Sequence, residues 1–98
     1  MIDASEVRDD PDASRFVYGG AGQRAELVYR RRGDRLVLVH TEVPVALEGQ
    51  GIGGRLVEAA VDYAAGHGLT VVPSCPFARS WLDRHPDVAA RVALDDPR

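Results

Sequence analysis

Apolar periodicity changes at Pro44, and that change restricts the chain to a mixed architecture. Before it, Ala25, Leu27 and Tyr29 alternate with Glu26, Val28 and Arg30, the period of a half-buried strand. Leu36 to Val43 is the strongest strand, with Leu36, Leu38, His40 and Glu42 on one face and Val37, Val39, Thr41 and Val43 on the other. Arg15 to Tyr18 adds a shorter one. Gly19-Gly20-Ala21-Gly22 and Arg31-Arg32-Gly33-Asp34 supply turn chemistry, so the economical reading is an antiparallel meander of three strands. After Pro44, Ile52, Leu56, Ala60, Ala64 and His67 recur at helical spacing, with Arg55, Glu58 and Asp62 on the opposite face. Gly66 and Gly68 end that helix. Leu69 to Val72 is a short strand closed by Pro73, and Pro76 opens a second helix that runs to Arg84. His85-Pro86 interrupts it, and Val88 to Leu94 is predicted as a last short helix. The expected fold is α/β (α+β): a meander, then strand–helix–strand–helix, giving a mixed sheet with helices packed on it. Residues 1–13 and 95–98 are expected to be loose ends.

Composition narrows the function classes. Ninety-eight residues suit one domain, 1–98, with one modest core. All twelve basic residues are Arg, which removes lysine Schiff-base chemistry and the lysine-ending phosphate loop. A single cysteine, Cys75, excludes an intrachain disulfide and any multi-cysteine metal site. No pair of histidines has metal-ligand spacing, so no metal is expected. A net charge of −3 argues against nucleic acid as a partner. No apolar run reaches the ~18 residues of a membrane span. The acidic start, Met1 to Asp12, is unlike a secretory signal, so the expected location is cytoplasmic.

Chemistry is concentrated in Glu48-Gly49-Gln50-Gly51-Ile52-Gly53-Gly54. These glycines precede a helix, where uncovered N–H groups and the positive end of the helix dipole attract phosphate. Three readings compete: a ligand-free turn, a dinucleotide fingerprint in Gly49-x-Gly51-x-x-Gly54, and a pyrophosphate cradle. The dinucleotide fingerprint follows a strand directly and needs an acidic residue ~20 positions on. Here a loop intervenes, and Pro73-Ser74-Cys75 occupies the later position.

The cradle fits best. Gln50-Gly51-Ile52-Gly53, after a valine-containing strand end and before Arg55-Leu56-Val57, resembles the pyrophosphate loop of the GNAT superfamily of acyl-CoA-dependent N-acetyltransferases. Glu48 stands where those proteins usually carry Arg or Gln. The chain is more similar still to a compact, single-domain GNAT subfamily. That likeness rests on His40-Thr41-Glu42-Val43-Pro44, the glycine loop, Val72-Pro73-Ser74-Cys75-Pro76-Phe77, Trp81-Leu82 and His85-Pro86, over roughly residues 15 to 90. The resemblance implies a sheet splayed between the strand before the loop and the next parallel strand. Acetyl-CoA would be the cosubstrate. Its pantetheine arm would lie along Glu42, Val43 and Val45, and its pyrophosphate on Gln50, Gly51, Ile52, Gly53, Gly54 and Arg55. The acceptor would be an amine or peptide, and the negative charge leans only weakly toward a cationic one.

Two residues are candidates for the chemistry. Cys75 lies just past the second wall strand and near a helix N-terminus, a position that favours thiolate. It either accepts the acetyl group, lines the site, or is an inert buried thiol. His40 shares a strand face with Glu42, so it is either a general base with an acidic neighbour or a core histidine beside Leu36 and Leu38. His67 and His85 read as helix-ending residues, Phe77 and Trp81 as core anchors, and Arg30-Arg31-Arg32 as a solvated hairpin tip. Full-length GNAT enzymes often carry a Tyr on the helix after the second wall strand, and Pro76 to Arg84 has none. The alternative to an enzyme is therefore a CoA-binding or protein-interaction module with the same fold and little catalysis.

Overall fold

The computed structural model describes residues 7–20 and 22–95. Five strands form one sheet in sequence order: β1 (Arg8–Asp10), β2 (Arg15–Gly20), β3 (Gln23–Arg32), β4 (Arg35–Glu42) and β5 (Thr70–Pro73). The first four pair antiparallel as a meander. β5 joins β4 in parallel after the crossover helix α1 (Ile52–Gly66). Helices α2 (Pro76–Arg84) and α3 (Pro86–Ala89) follow. This is the mixed sheet with packed helices that the change of period predicts.

The helices cover one face of the sheet. Ile52, Leu56, Val57, Ala60, Val61 and Ala64 of α1 are buried against Phe16, Ala25, Leu27, Tyr29, Leu36, Leu38 and Val71. Each full-sized aliphatic in that set stabilises the fold by about 1.5–3 kcal/mol. Val28, Val37, Val39 and Val72, on the opposite face, lie outside this core. No helix among the described residues is long and apolar enough to cross a membrane.

Three features depart from the sequence reading. Residues 8–13 are structured: β1 pairs with β2, and the 3-10 turn Pro11–Ala13 follows. The Tyr29 hydroxyl fastens that edge by donating to Asp9 Oδ1 at 2.8 Å. Val7 packs on the core and Asp95 is hydrogen-bonded to Val71, so these expected loose ends are ordered as well, whereas 1–6 and 96–98 lie outside the described residues. The helix expected over Val88 to Leu94 is only one turn, because Pro86 occupies its first position and restarts the helix early. Leu94 instead lies beside Val71 in a parallel bridge, with Val71 N–H on Ala93 C=O and Asp95 N–H on Val71 C=O, both at 2.9 Å. Arg35 pairs with Asp95 across the same edge.

The third departure controls the site. Val28 of β3 stands opposite His40, but Tyr29 stands opposite Leu38, so Val39 is an extra residue, a β-bulge in β4. Strict alternation would keep His40 and Glu42 on the face of Leu36 and Leu38. The bulge reverses the phase. Thr41, opposite the fully buried Leu27, rejoins the helix-covered face. His40 and Glu42 turn to the open face, so the core-histidine reading of His40 is corrected.

Candidate functional site

The glycine segment is a turn that delivers a helix. After β4, Val45–Leu47 form a 3-10 turn closed by Leu47 N–H on Pro44 C=O at 2.9 Å. Gly49 and Gly51 then adopt φ of 80° and 76°, with nothing within 4 Å of where a Cβ would stand. A side chain would be strained at both although space is available. Gly51 is the N-cap of α1, and the first helical bond is Arg55 N–H to Gly51 C=O at 3.1 Å. The amides of Ile52, Gly53 and Gly54 therefore lack acceptors within the helix and sit at its positive end.

Gly53 and Gly54 answer a different requirement. A Cβ at Gly53 would stand 2.7 Å from Phe77 Cζ, and one at Gly54 would stand 2.3 Å from Trp81 Nε1. α2 packs on α1 only because both positions are bare. Any part these two buried residues play toward a ligand is confined to backbone. The sequence motif alone could not separate the two pairs of glycines, because α2 is distant along the chain.

Two cavities, each of about 320 Å³, share Gly51, Gly54 and Trp81. One is apolar and reaches the end of β4 through Val43, Leu47, Ile52 and Phe77. The other is polar, lined by Gln50, Arg55, Glu58, His85 and Asp87. Glu58 is paired there with Arg55 at 3.2 Å and Arg91 at 2.9 Å. Hydrogen bonds to Asp62 and then Glu58 raise the Arg91 pKa further. His85 stacks on Trp81 with ring centroids 3.9 Å apart, and its Nδ1 donates to the Trp81 carbonyl at 2.8 Å. His67 closes α1 in the same way, with Nδ1 on the Tyr63 carbonyl at 2.8 Å. Both act as helix-ending residues, as their positions suggest. Glu58, Asp87 and the cavity-lining side of His85 carry no local sequence signal.

The gap lies between the two parallel strands. Pairing of β4 with β5 ends at Leu38 opposite Pro73, and Cys75 N–H then donates to Leu38 C=O at 2.8 Å. Residues 39–42 of β4 run on without a β5 partner. Cys75 caps α2, is 3% exposed, and places Sγ 3.4 Å from Thr41 Oγ1 on the helix-covered face. His40 Nε2 lies 3.6 Å from Glu42 Oε2 on the other face, with both side chains more than half exposed. His40 and Glu42 are thus brought together; His40 and Cys75 are kept apart, on opposite faces of β4. Thr41, the neighbour of Cys75, was hidden from the sequence reading because the bulge decides its face. Val43 lines the apolar cavity, whereas Val45 is largely exposed.

A glycine turn feeding a helix at the end of a strand that outruns its parallel neighbour is one arrangement. The GCN5-related N-acetyl-transferase family matches it over residues 15–92, most of the chain. The chain belongs to the GNAT superfamily. Protein NATD1 of Xenopus tropicalis is 32% identical over 91 residues, covering 88% of this chain and 84% of that protein. Protein NATD1 of Homo sapiens is 37% identical over 68 residues, covering 68% of this chain and 60% of that protein. The solution NMR structure of a GCN5-like protein from Staphylococcus aureus superposes with a TM-score of 0.73 at 25% identity, over 99% of this chain and 94% of that one. The meander, crossover helix and parallel fifth strand are therefore a GNAT fold. Among the described residues no three His, Cys, Asp or Glu side chains group to hold a metal ion.

Proposed function

We propose that this GNAT chain is an acyl-CoA-dependent N-acetyltransferase that moves an acetyl group from acetyl-CoA to an amine, with residues 1–98 acting as one transferase domain. The observation that carries the reading is β4 outrunning β5 at the foot of the glycine turn. An extended amide arm fits such an edge as an added strand, here along Glu42, Val43 and Val45 beside the apolar cavity. The amides of Gln50 to Gly54 suit a pyrophosphate, with Arg55 at the rim. The open space over Gly49 and Gly51 leaves that backbone uncovered.

Acetyl-CoA supplies a thioester whose acyl carbon is the electrophile. His40, with Glu42 beside it, takes the amine proton on the open face. Cys75 lines the helix-covered side, held against the Thr41 hydroxyl. A nucleophilic cysteine must be reachable by the thioester, whether a base or a helix N-terminus activates it. Cys75 is buried against Thr41 with His40 across β4 from it, so the reading is direct transfer beside Cys75 rather than through it.

The test is a calorimetric titration with acetyl-CoA, a nicotinamide dinucleotide as control, intact mass of the same sample, and turnover on an amine panel. Acetyl-CoA is expected to bind and the dinucleotide not. The mass is expected to stay unchanged, whereas an added acetyl group would move the route through Cys75. The absence of Tyr from Pro76–Arg84 favours a second reading, a CoA-binding module. Binding without turnover on any amine would establish that one. Failure to bind acetyl-CoA would sink both.

A further inference from the structure

The open face of the sheet carries charge at both ends. At one end stand His40, Glu42 and Glu26, with Glu26 directly opposite Glu42 and held by Arg15 at 2.8 Å, and with Arg24 beside them. At the other stand Arg30 and Arg32 on β3, both exposed. Between them run Val28, Val37, Val39 and Val72, with Arg30, Val37 and Val72 in register across three strands. A groove of about 490 Å³ is lined by Arg30, Arg32, Val37, Val39, Val72 and Ser74. Fifteen acidic residues are available in the chain, yet among the described residues none pairs with Arg30 or Arg32. Arg31, between them, points to the other face and donates to the Tyr63 hydroxyl at 3.2 Å. Two unpaired guanidiniums bordering an apolar groove are complementary to a partner that is both acidic and aliphatic.

The spacing favours an extended chain. Arg30 and Arg32 share a strand face, so their side chains leave the backbone about 7 Å apart, the repeat of alternate side chains in any extended peptide. Arg30 lies one such step along the sheet from the level of His40, and Arg32 a second. The α1 and α2 side of the gap holds the glycine turn and both of its cavities. An acceptor therefore approaches from the open face, across this groove. Resting on the acetyltransferase reading, we infer that the acceptor is a lysine in an extended acidic peptide, with carboxylates two and four residues away seated on Arg30 and Arg32. Aliphatic stems of the peptide lie on Val37, Val39 and Val72. In the transfer His40 takes one proton from the lysine ammonium, the freed nitrogen forms the C–N bond as the thioester C–S bond breaks, and a second nitrogen proton goes to the departing sulfur.

The experiment uses the full chain and labelled peptides carrying one lysine. Glu, Gln or Arg stands two and four residues from it, in both directions, and binding is read by fluorescence anisotropy. The Glu peptide is expected to bind about tenfold tighter than the Gln peptide at low salt, a preference that salt weakens. The double variant R30E/R32E is expected to lose that preference and favour the Arg peptide, with kcat/KM for acetyl transfer following the same order. Equal binding of the three peptides overturns the inference, as does a preference that survives in R30E/R32E. Light scattering that shows a dimer dissociated by R30E/R32E also overturns it, since the occupant would be a second copy. Calorimetry with acetyl-CoA on the same samples separates the two claims. Acetyl-CoA binding without peptide preference overturns this inference alone, whereas peptide preference without acetyl-CoA binding overturns the transferase reading and with it the peptide's role as acceptor, leaving Arg30 and Arg32 as a peptide-binding surface.

Discussion

Glycine has at least two meanings within α1, and substitution separates them. At Gly54 an added methyl meets the Trp81 indole, which cannot retreat because it is stacked on His85. Gly54→Ala is expected to lower stability by about 1–3 kcal/mol. Gly66→Ala meets nothing and is expected to raise stability by about 0.4–1 kcal/mol by restricting the unfolded chain. Urea unfolding of the two variants checks the pair; equal effects would refute the packing argument. Tyr29 is a second residue whose surroundings matter more than its type. Burial, then the hydrogen bond to Asp9, push its pKa well above the ordinary value. Below pH ~10 the hydroxyl is protonated in both states and its contribution is fully present. As pH rises past that value the unfolded chain ionises first, so stability falls toward the raised folded value. Tyr29→Phe is expected to cost about 1 kcal/mol at neutral pH. The same variant should flatten the alkaline loss of stability, and unchanged alkaline unfolding would sink the assignment.

Among the elements, β4 shows most clearly how a local irregularity decides which face a side chain takes. With Val39 present, His40 and Glu42 face outward and Thr41 faces Cys75. Deleting Val39 removes the extra residue, so His40 follows Leu38 directly and plain alternation still sends His40 and Glu42 to the open face and Thr41 to the helix-covered one. Val39→Ala keeps the residue count at a partly exposed position and is expected to shift stability by less than about 1 kcal/mol. Acetyl transfer is therefore expected to survive both changes, and its loss in a variant whose urea midpoint stays near wild type would contradict the face assignment. A substitution at the proposed base behaves differently again. His40→Ala is expected to lower kcat by about 10²–10⁴-fold with stability unchanged, since the side chain is exposed. Cys75→Ala is expected to retain transfer, and loss of transfer to an amine would restore a covalent role.

For the whole molecule, the glycine turn, the gap and the two cavities draw on β4, α1, β5 and α2 together. A ligand seated among them ties the parts to one another, and acetyl-CoA at 100 times its Kd is expected to stabilise the fold by about 2.7 kcal/mol. Thermal unfolding with and without acetyl-CoA reads this as a rise in Tm, and no rise would contradict the cradle. Much of the architecture was legible from residues alone. Alternation over Ala25 to Arg30, helical spacing from Ile52 to Ala64, and Pro76 after a short apolar run are local patterns that local physics reads. β1 was not legible, because Arg8, Asp9 and Asp10 show no alternation and pair through backbone at a sheet edge. Leu94 beside Val71 was not legible either, since that contact spans residues far apart in the chain.

The site divides along the same line. Composition excluded lysine Schiff-base chemistry and an intrachain disulfide, and Gly51 and Gly53 before a helix marked a candidate phosphate cradle. The left-handed φ at Gly49 and Gly51 is a property of single residues that glycine alone permits freely. Which face His40 presents, why Gly53 and Gly54 are bare, and that Cys75 meets Thr41 rather than His40 all depend on strand register and helix packing. Register is decided by the partner strand and packing by a distant helix. No window of the sequence contains both members of those pairs, and only the folded chain brings them into contact.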